Sequence, residues 1–448
     1  MSKLTLLNNF SKDSFNFCQK FTKHLSKPQQ GNFREIFKGM IVQNSIYLTD
    51  IGDVSSKEIT ARKNIERLSN TLGKIETDSF AKIHVNNQAK IFKNEPVLIL
   101  SDGGDIQKRY ANPLKKRGMK KVCKNIDGSN GHKGGRGYYI QSSMAYGVES
   151  KTLAPLAQHL YSTETKDFKS QWFEDKKVFD MMNHFILCSP YDRIIVEDRG
   201  CDDEKRFVYY RKDLGASFVT RVCTGKKSRK VIVKDKDSHI QTSITDLTVE
   251  MKKSTLSERK WKNKKIGKTL KSKISWQQVY IPSHLDMPLY AIFVYSEGYD
   301  DPLVVLTDLE TINAKQAWKH FFYYKKRWEV ENFYRATKQN FSSEKFLIRD
   351  YEKIQALAFM VMIVYAFLLQ LKEKILEFLQ SIYIVFKDYC KRKQKKSSHQ
   401  LSLLAFLREC FQGIGTEYSA RFCSLKISRY RTIIDKNQLR IFDWRKNW

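Results

Sequence analysis

The spacing of apolar residues changes along the chain, and each spacing predicts a different kind of element. From Ser11 to about Lys90, apolar residues recur at intervals of three and four, which is typical of amphipathic helices. Breaks near Pro28, near Gly31 and at a turn over residues 50–53 divide this region into several short helices. We therefore predict a helical domain over residues 1–90.

After Pro96 the pattern changes to short apolar runs separated by helical stretches. A run of Val, Ile and Leu that is bounded by turn residues predicts a strand buried on both faces. Strands that alternate with helices favour an α/β layer architecture. The predicted elements are a strand at 97–100 ending in a tight turn at 101–105, a strand pair at 138–148, a helix at 171–187, a strand at 193–198, a short helix, and a strand at 218–222.

Residues 224–300 lose the helical spacing and carry short β-branched or aromatic stretches instead. The predicted strands are at 231–233, 242–249, 276–281 and 289–295, followed by a strand at 303–307, a long helix at 314–340 and a mostly helical remainder. The predicted fold is α/β. A core over residues 91–223 is interrupted by a β-rich insertion at 224–300 and resumes at 301–370, and a helical carboxy-terminal region occupies 371–448.

Composition indicates a folded protein with a polyanionic partner. Hydrophobic residues make up 41% of the 448 residues, so the chain can bury a substantial core. A formal net charge of +32 is self-repulsive, which favours nucleic acid as the partner. An anionic membrane is the alternative, but the apolar run at 356–369 has 14 residues and a helical span takes about 20, so we predict a core helix and no membrane.

Two basic tracts, at 252–273 and 387–396, are open to two interpretations. Charge runs are usually solvated loops. Trp261 and Trp276 lie in or beside the first tract, and aromatic rings among cations can stack on unpaired bases, which favours a loop that faces DNA.

The start of the chain lacks the features of a secretory signal, and the eight cysteines include no pair spaced as in a zinc knuckle. We therefore expect an intracellular protein with reduced thiols. Any bound metal is expected among carboxylates.

Carboxylates follow two of the predicted buried strands. Asp102 comes just after the strand at 97–100, and Asp198 ends the strand at 193–198, so both could lie along one edge of a sheet. Cleavage of phosphodiesters by two metal ions needs carboxylates that converge from different elements. Each of the two alone is also typical of an ordinary turn or cap residue.

A third candidate lies on the long helix. Tyr324, Arg327, Glu331 and Lys338 fall within an arc of roughly 60° on one helix face, at about 100° per residue. An exposed face with an ion pair between Arg327 and Glu331 explains the same spacing. The spacing alone leaves both interpretations open.

These four residues match, without a gap, the pattern Tyr-x2-Arg-x3-Glu-x6-Lys, and the chain thereby resembles bacterial insertion-sequence transposases of the IS-four type. The sequence Val-Glu-Asp-Arg-Gly-Cys-Asp at 196–202 resembles the second acidic motif of that group, and Leu-Ile-Leu-Ser-Asp at 98–102 resembles the first. The resemblance covers roughly residues 97–341.

The resemblance implies a DDE transposase with a ribonuclease-H-like catalytic core. It implies that Asp102, Asp198 and Glu331 form an acidic triad that binds two divalent metal ions, Mg²⁺ or Mn²⁺. It also implies that three residues of the helix hold DNA near the cut: Tyr324, Arg327 and Lys338. One departure is that Gly103 and Gly104 precede a second acid, which leaves Asp105 as a competing first ligand.

The expected reaction is metal-dependent cleavage at transposon ends and strand transfer into target DNA, with hairpin ends as a possible route. The expected partners are double-stranded DNA with terminal repeats and a second copy of the chain in the complex of paired ends. Residues 1–90 are either the end-recognition domain or scaffolding, and residues 371–448 either form the dimer contact or are buried within the monomer. Alternatives are a metal-dependent nuclease without strand transfer and an inactive relative that only binds DNA. The expected location is the bacterial cytoplasm.

Overall fold

The computed structural model describes residues 3–371 apart from short gaps. The gaps are residues 44, 53–58, 93, 109–118, 127–134, 236–237, 255–256, 264–266, 341–343 and 345. The chain divides into two units, one of them Phe17–Leu369 and the other Met1–Asn16 with Gln370–Trp448. In the second unit the described residues are 3–16 and 370–371, and all of them are helical. The predictions for 372–448 concern residues outside the described part of the chain.

The amino-terminal region is helical, as its apolar spacing predicts. Its helices are α1 (Lys3–Thr22), α2 (Lys27–Gln43), α3 (Leu48–Gly52), α4 (Ala61–Leu72) and α5 (Thr77–Ala89). The predicted break near Pro28 is confirmed, because α2 begins at Lys27 and its first turn tolerates the missing N–H of proline. The predicted break at Gly31 is wrong, since that residue lies inside α2, and residues 50–52 of the predicted turn belong to α3.

A further apolar helix, α11 (Tyr351–Leu371), packs against these helices. The ring of Phe367 lies 5.3 Å from those of Phe17 and Phe37, and the ring of Phe359 lies 6.2 Å from that of Phe80. Among the described residues, α11 is the one helix long and apolar enough to cross a membrane, and 61% of its most apolar 18-residue stretch is buried inside the protein. Burial of this extent is consistent with the predicted core helix.

The centre of the unit Phe17–Leu369 is a mixed sheet that helices pack against. Its strands are β1 (Val97–Gln107), β2 (Cys123–Ile126), β3 (Gly135–Gly147), β4 (Leu153–Tyr161), β5 (Arg193–Glu197), β6 (Ser217–Arg221), β7 (Lys230–Asp235), β8 (Ser238–Ser243), β9 (Ser257–Asn263), β10 (Lys268–Ile281), β11 (His284–Ser296) and β12 (Leu303–Thr307). The order is β2-β3-β1-β5-β6-β12-β11-β10-β7-β8, with β4 paired to β3 and β9 paired to β10. Strands β1, β5 and β6 are parallel neighbours, and β3 is antiparallel to β1.

The remaining helices are α6 (Gln171–Leu187), α7 (Glu204–Val208), α8 (Ile244–Met251), α9 (Ala314–Lys326) and α10 (Trp328–Asn340). On β1 and β5, Ile99 and Ile195 belong to the core cluster that includes Phe179 of α6. Because successive side chains of a strand point to opposite faces, the residues at even positions of β1 and β5 face away from α6. Helix α10 contacts β1 and helix α9 contacts β5, so they cover the strands near those residues.

Several predicted elements are confirmed at or near the predicted bounds. The helix at 171–187 and the strand at 303–307 have the predicted ends, and the strand at 218–222 is β6, shifted by one residue. The five cysteines among the described residues (Cys18, Cys123, Cys188, Cys201 and Cys223) are free, as predicted for those positions.

Two predictions on the first strands are wrong. The turn at 101–105 does not form, because β1 continues to Gln107 and pairs with β3 over its whole length. The strand pair at 138–148 is the single strand β3, which is held on one edge by β1 and on the other by β4. Pairing with neighbouring strands thus overrides the turn propensity of two consecutive glycines.

Two later predictions are also wrong. Residues 244–251 form helix α8 instead of a strand, since the Ser243 hydroxyl caps the helix at the N–H of Asp246 and a face at helical spacing is buried. The helix at 314–340 is two helices, α9 and α10, that meet at Arg327.

Residues 224–300 contain strands β7 to β11 together with α8. Strand β11 pairs directly with β12, so the sheet runs without interruption from the first strands into this region. The interpretation of 224–300 as a separate insertion stays a prediction.

Candidate active site

Two aspartates lie side by side where the parallel strands β1 and β5 end their pairing. The register pairs Leu100 with Val196, and Asp102 and Asp198 each follow two residues later. Both side chains therefore lie on the sheet face that α9 and α10 cover. Asp198 comes after the last residue of β5, whereas Asp102 lies within β1 and pairs across to Ser142 of β3.

The junction of α9 and α10 places Arg327 over these aspartates. Its N–H donates to the carbonyl of Tyr324, and its own carbonyl accepts from Val330, so the helical path continues across the junction. The Arg327 side chain is 10% exposed. Tyr324 on one side of the junction and Glu331 on the other therefore reach the same place.

The guanidinium of Arg327 contacts all three acids. Nη1 lies 2.5 Å from Oδ2 of Asp102, and Nη2 lies 2.5 Å from Oε1 of Glu331 and 3.5 Å from Oδ2 of Asp198. The three carboxylates come from two strands and one helix that are far apart in sequence. They are 22%, 36% and 30% exposed for Asp102, Asp198 and Glu331, so the cluster opens to solvent.

Tyr324 completes this group from the α9 side. Its hydroxyl donates to Oδ1 of Asp198 at 2.9 Å. Burial and the nearby Asp198 carboxylate raise the pKa of Tyr324 to about 12, so the phenol keeps its proton and remains a donor. The structure thus brings together five of the six residues that the sequence singles out.

Lys338 is the sixth, and it is paired elsewhere. Its Nζ lies 3.8 Å from Oδ1 of Asp105 and 2.9 Å from Oε1 of Glu344. Among the described ion pairs, Asp105 therefore interacts with Lys338, whereas Asp102 interacts with Arg327. The geometry favours Asp102 as the member of the acid cluster.

Tyr334, which the sequence analysis missed, fixes the backbone of Asp102. Its hydroxyl donates to the Asp102 carbonyl at 2.7 Å, and the residue is on α10, three positions after Glu331. A Cβ on Gly104 would lie 3.1 Å from Cζ of the tyrosine ring, so the glycine allows the ring to lie against β1. The two glycines that follow Asp102 were the available signal, but sequence spacing does not say which ring covers Gly104.

A second missed group lies on the opposite face, beneath Asp198. Glu197 is fully buried, its Oε2 accepts from the Tyr210 hydroxyl at 2.6 Å, and its Oε1 lies 3.3 Å from Nη1 of Arg206. Nη2 of Arg206 lies 2.5 Å from Oδ2 of Asp175 on α6. This network ties the end of β5 to α6 and α7, and it thereby fixes the position of the next residue, Asp198.

Burial and the neighbouring charges shift the pKa values of Asp102 and Asp198 in opposite directions. Burial, with added repulsion from Asp198 and Glu331, raises the pKa of Asp102 to about 7 despite the attraction of Arg327. Burial also acts to raise the pKa of Asp198, but Arg327, the N–H of Arg199 and the Tyr324 hydroxyl together hold it below its ordinary value. Burial acts to lower the pKa of Arg327, and the carboxylates around it reverse that effect and raise it. The guanidinium therefore stays charged, and an added cation would favour the deprotonated form of Asp102.

Metal binding has to be judged against this arrangement. Carboxylate oxygens are the ligands that Mg²⁺ and Mn²⁺ prefer, so the donor chemistry of Asp102, Asp198 and Glu331 fits such ions. In the part of the chain that the structure describes, no three His, Cys, Asp or Glu side chains have an arrangement that could hold a metal ion. In this cluster the three acids contact the guanidinium of Arg327 instead.

In the described residues, the first basic tract lies mainly in two adjacent antiparallel strands, the β9–β10 hairpin, instead of a loop. Strands β9 and β10 pair from Ser257 with Ile274 to Asn263 with Lys268. Trp261 packs edge-on against the ring of Phe321 on α9 at 5.4 Å, and its Nε1 donates to Ser272. The Trp261 ring therefore joins the hairpin to α9, while Lys260 and Lys268 are exposed.

Comparison with known proteins gives one family. The transposase DDE domain matches residues 117–367, more than half of the chain. The match includes Asp198, Arg327 and Glu331 and begins after Asp102. A search of curated proteins finds no match. The mixed sheet and its helices are consistent with the nuclease fold of DDE enzymes, and the chain belongs to the transposase DDE domain family.

Proposed function

We propose that the chain is a cut-and-paste DDE transposase of the IS-four type, whose acids are Asp102, Asp198 and Glu331. Membership of the family indicates DNA cleavage and transfer related to transposition. The observation that carries the finer proposal is that these three carboxylates, from two strands and a helix, meet at one guanidinium within 2.5–3.5 Å. The two adjacent parallel strands and the helix across them support a ribonuclease-H-like core.

The three acids hold two divalent ions in this proposal. When bound, such ions supply the activation of the attacking oxygen and the stabilisation of the leaving oxygen. Tyr324 orients Asp198 through its hydrogen bond, and Tyr334 holds the Asp102 backbone. Arg327 and Lys338 supply positive charge for the phosphates on either side of the cut.

The chemistry then consists of two substitutions at phosphorus. Water attacks the phosphorus at the transposon end, the bond to the 3′ oxygen breaks, and that oxygen takes a proton to give a 3′-hydroxyl. This hydroxyl attacks a phosphorus of the target strand, and the bond to the target's own 3′ oxygen breaks as the new bond forms. A hairpin arises if the first target is the opposite strand of the same end.

The binding of DNA is supported by the net charge of +32 and by the exposed lysines of the β9–β10 hairpin. We further propose that the helices in residues 1–90 recognise terminal repeats, that two copies of the chain hold the paired ends, and that the protein acts in the bacterial cytoplasm. The candidate dimer region at 371–448 and the basic tract at 387–396 lie outside the described residues.

Substitution of each acid tests the assignment. Asp102→Asn, Asp198→Asn and Glu331→Gln should each abolish cleavage of DNA that carries the flanking terminal repeats, while binding of those ends is retained. Glu329→Gln is the matched control, because Glu329 is on the same helix and its side chain bonds to Asn332. Cleavage that persists in all three acid variants would refute the triad.

Strand transfer distinguishes a transposase from a nuclease. A labelled, pre-cut transposon end is incubated with plasmid DNA and Mg²⁺. Joined products that the Glu331→Gln variant does not form support the transposase. Cleavage activity without any joined product would identify a metal-dependent nuclease instead.

A further inference from the structure

We infer that, in the DNA-free protein, the guanidinium of Arg327 occupies the carboxylate oxygens that would bind metal. A DNA phosphate must draw the guanidinium away before metal ions bind. DNA binding and metal binding would then be coupled through one side chain. This inference rests on the proposed function, since it takes the three acids as the metal ligands. It adds a regulatory role to a residue whose expected role is to contact DNA.

The first support is that Arg327 uses the same oxygens that a metal needs. Nη1 and Nη2 each lie 2.5 Å from a carboxylate oxygen, of Asp102 and Glu331 respectively, and Nη2 is 3.5 Å from one of Asp198. A guanidinium presents its donors in a planar fork, so it can bridge carboxylates from different elements. A divalent ion bound to these oxygens would lie within a few ångströms of the guanidinium, where like charges repel.

The second support is that the acids need a cation and are open to solvent on one side. Three carboxylates contact one guanidinium within 3.5 Å, and Arg221 adds a weaker attraction at Asp198, so the charge of the acids is only partly offset. The acids are 22–36% exposed while Arg327 is 10% exposed. Ions and DNA can therefore reach the acids from solvent, while the guanidinium between the acids is largely enclosed.

The third support is the position of Arg327 at the α9–α10 junction. Its backbone is held by hydrogen bonds to Tyr324 and Val330, so its side chain can rotate without either helix moving. Phosphate oxygens are bidentate partners of arginine, as carboxylates are. A phosphate at the open side can therefore exchange for the carboxylates, which frees their oxygens for metal.

Coupling of this kind is reciprocal, so metal should also tighten the binding of DNA. The DNA-free protein would bind divalent ions weakly, and its acids would stay paired with Arg327. Because the acids bind metal weakly until a phosphate holds Arg327, a protein without bound DNA would hold no metal ready for cleavage.

Binding of Mn²⁺, followed by the electron paramagnetic resonance of free Mn²⁺, tests the inference without any need for activity. Affinity is measured for the full-length chain with and without a short mixed-sequence DNA duplex, after subtraction of the ions bound by the duplex alone. Arg327→Gln keeps a polar side chain without the charge. The control Arg335→Gln removes an exposed arginine of α10 that lies over the ring of Trp328.

Without DNA, Arg327→Gln should bind Mn²⁺ at least about tenfold more tightly than the wild type and Arg335→Gln, because a nearby like charge is removed. DNA should raise the affinity of the wild type and leave that of Arg327→Gln nearly unchanged. Equal or weaker binding by Arg327→Gln would overturn the inference. So would a wild-type affinity that DNA does not change, and this result requires no variant to fold.

Asp102→Asn separates the two proposals. If this variant binds Mn²⁺ in the presence of the duplex as well as the wild type does, the acids are not the metal site and the proposed function fails. If it binds Mn²⁺ poorly while Arg327→Gln shows no gain, the acids are the ligands and only the role of Arg327 is wrong.

Discussion

Replacement of Gly104 by alanine tests how the structure fixes Asp102. The added Cβ would lie 3.1 Å from Cζ and 3.3 Å from Cε1 of the Tyr334 ring, and 3.4 Å from Cγ2 of Ile140. Carbon atoms prefer separations of about 3.5–4.0 Å, so the ring has to move by a few tenths of an ångström. The Tyr334 ring is partly buried, and its hydroxyl is bonded to the Asp102 carbonyl at 2.7 Å. Relief of the clash therefore strains that hydrogen bond.

Overpacking of this kind costs about 1–3 kcal/mol. A loss of that size lowers the melting temperature by roughly 2–6 °C, taking about 2 °C per kcal/mol for a large domain. The effect on cleavage should be larger than the effect on stability, because a shift of about 1 Å in a catalytic group can cost about 100-fold in rate. Thermal unfolding and the rate of DNA cleavage are measured on the same preparations.

Gly200→Ala is the control, since nothing lies within 4 Å of a Cβ at that position. It should change stability by no more than about 0.5 kcal/mol. If Gly104→Ala matches this control in both melting temperature and cleavage rate, the contact between Tyr334 and β1 does not hold Asp102 in place.

Three further predictions concern other parts of the molecule. Tyr334→Phe removes the hydroxyl that donates to the Asp102 carbonyl, so the free energy of unfolding in urea should fall by about 1–3 kcal/mol. The cleavage rate should fall by a larger factor, and an unchanged rate would contradict the positioning role. Burial lowers the pKa of His84 from 6.5 to about 4, so its stabilising contribution is present above pH 6.5 and is lost as the pH falls through 4. Urea unfolding at a series of pH values should show a pH-dependent fall of about 3 kcal/mol in the free energy of unfolding. This fall should be absent in His84→Gln. Lys260→Gln should make the slope of log K against log salt for DNA binding about 0.9 less steep, and an unchanged slope would place Lys260 outside the DNA interface.

The sequence predicts those elements of the fold whose pattern is local. A helix such as α6 shows its helical spacing and its capping residue Ser170 within the segment itself, so its bounds were correct. Strand β12 is a short apolar run with clear ends for the same reason. The predictions failed where neighbours decide, as in β1, where pairing with β3 keeps residues 101–107 extended.

The candidate site shows the same division. The helical spacing of Tyr324, Arg327 and Glu331 places them on one face, and the strand pattern places Asp198 at the end of β5. The same reasoning was wrong for Asp102, which lies within β1 and not after it. That Arg327 bridges all three acids could not be predicted, since it depends on the junction of α9 with α10 and on the register of β1 with β5. Tyr334 was missed because an aromatic residue at helical spacing is ordinarily part of a core.

The most direct test of the proposed function compares the wild type with Glu331→Gln on end-labelled DNA that carries the element's own terminal repeats, with and without Mg²⁺. We expect nicking at the repeat boundary by the wild type with Mg²⁺ only, and tight binding without nicking by Glu331→Gln. If neither protein nicks the DNA and both bind it tightly, the chain is a DNA-binding relative without the chemistry, and the assignment of an active triad is wrong.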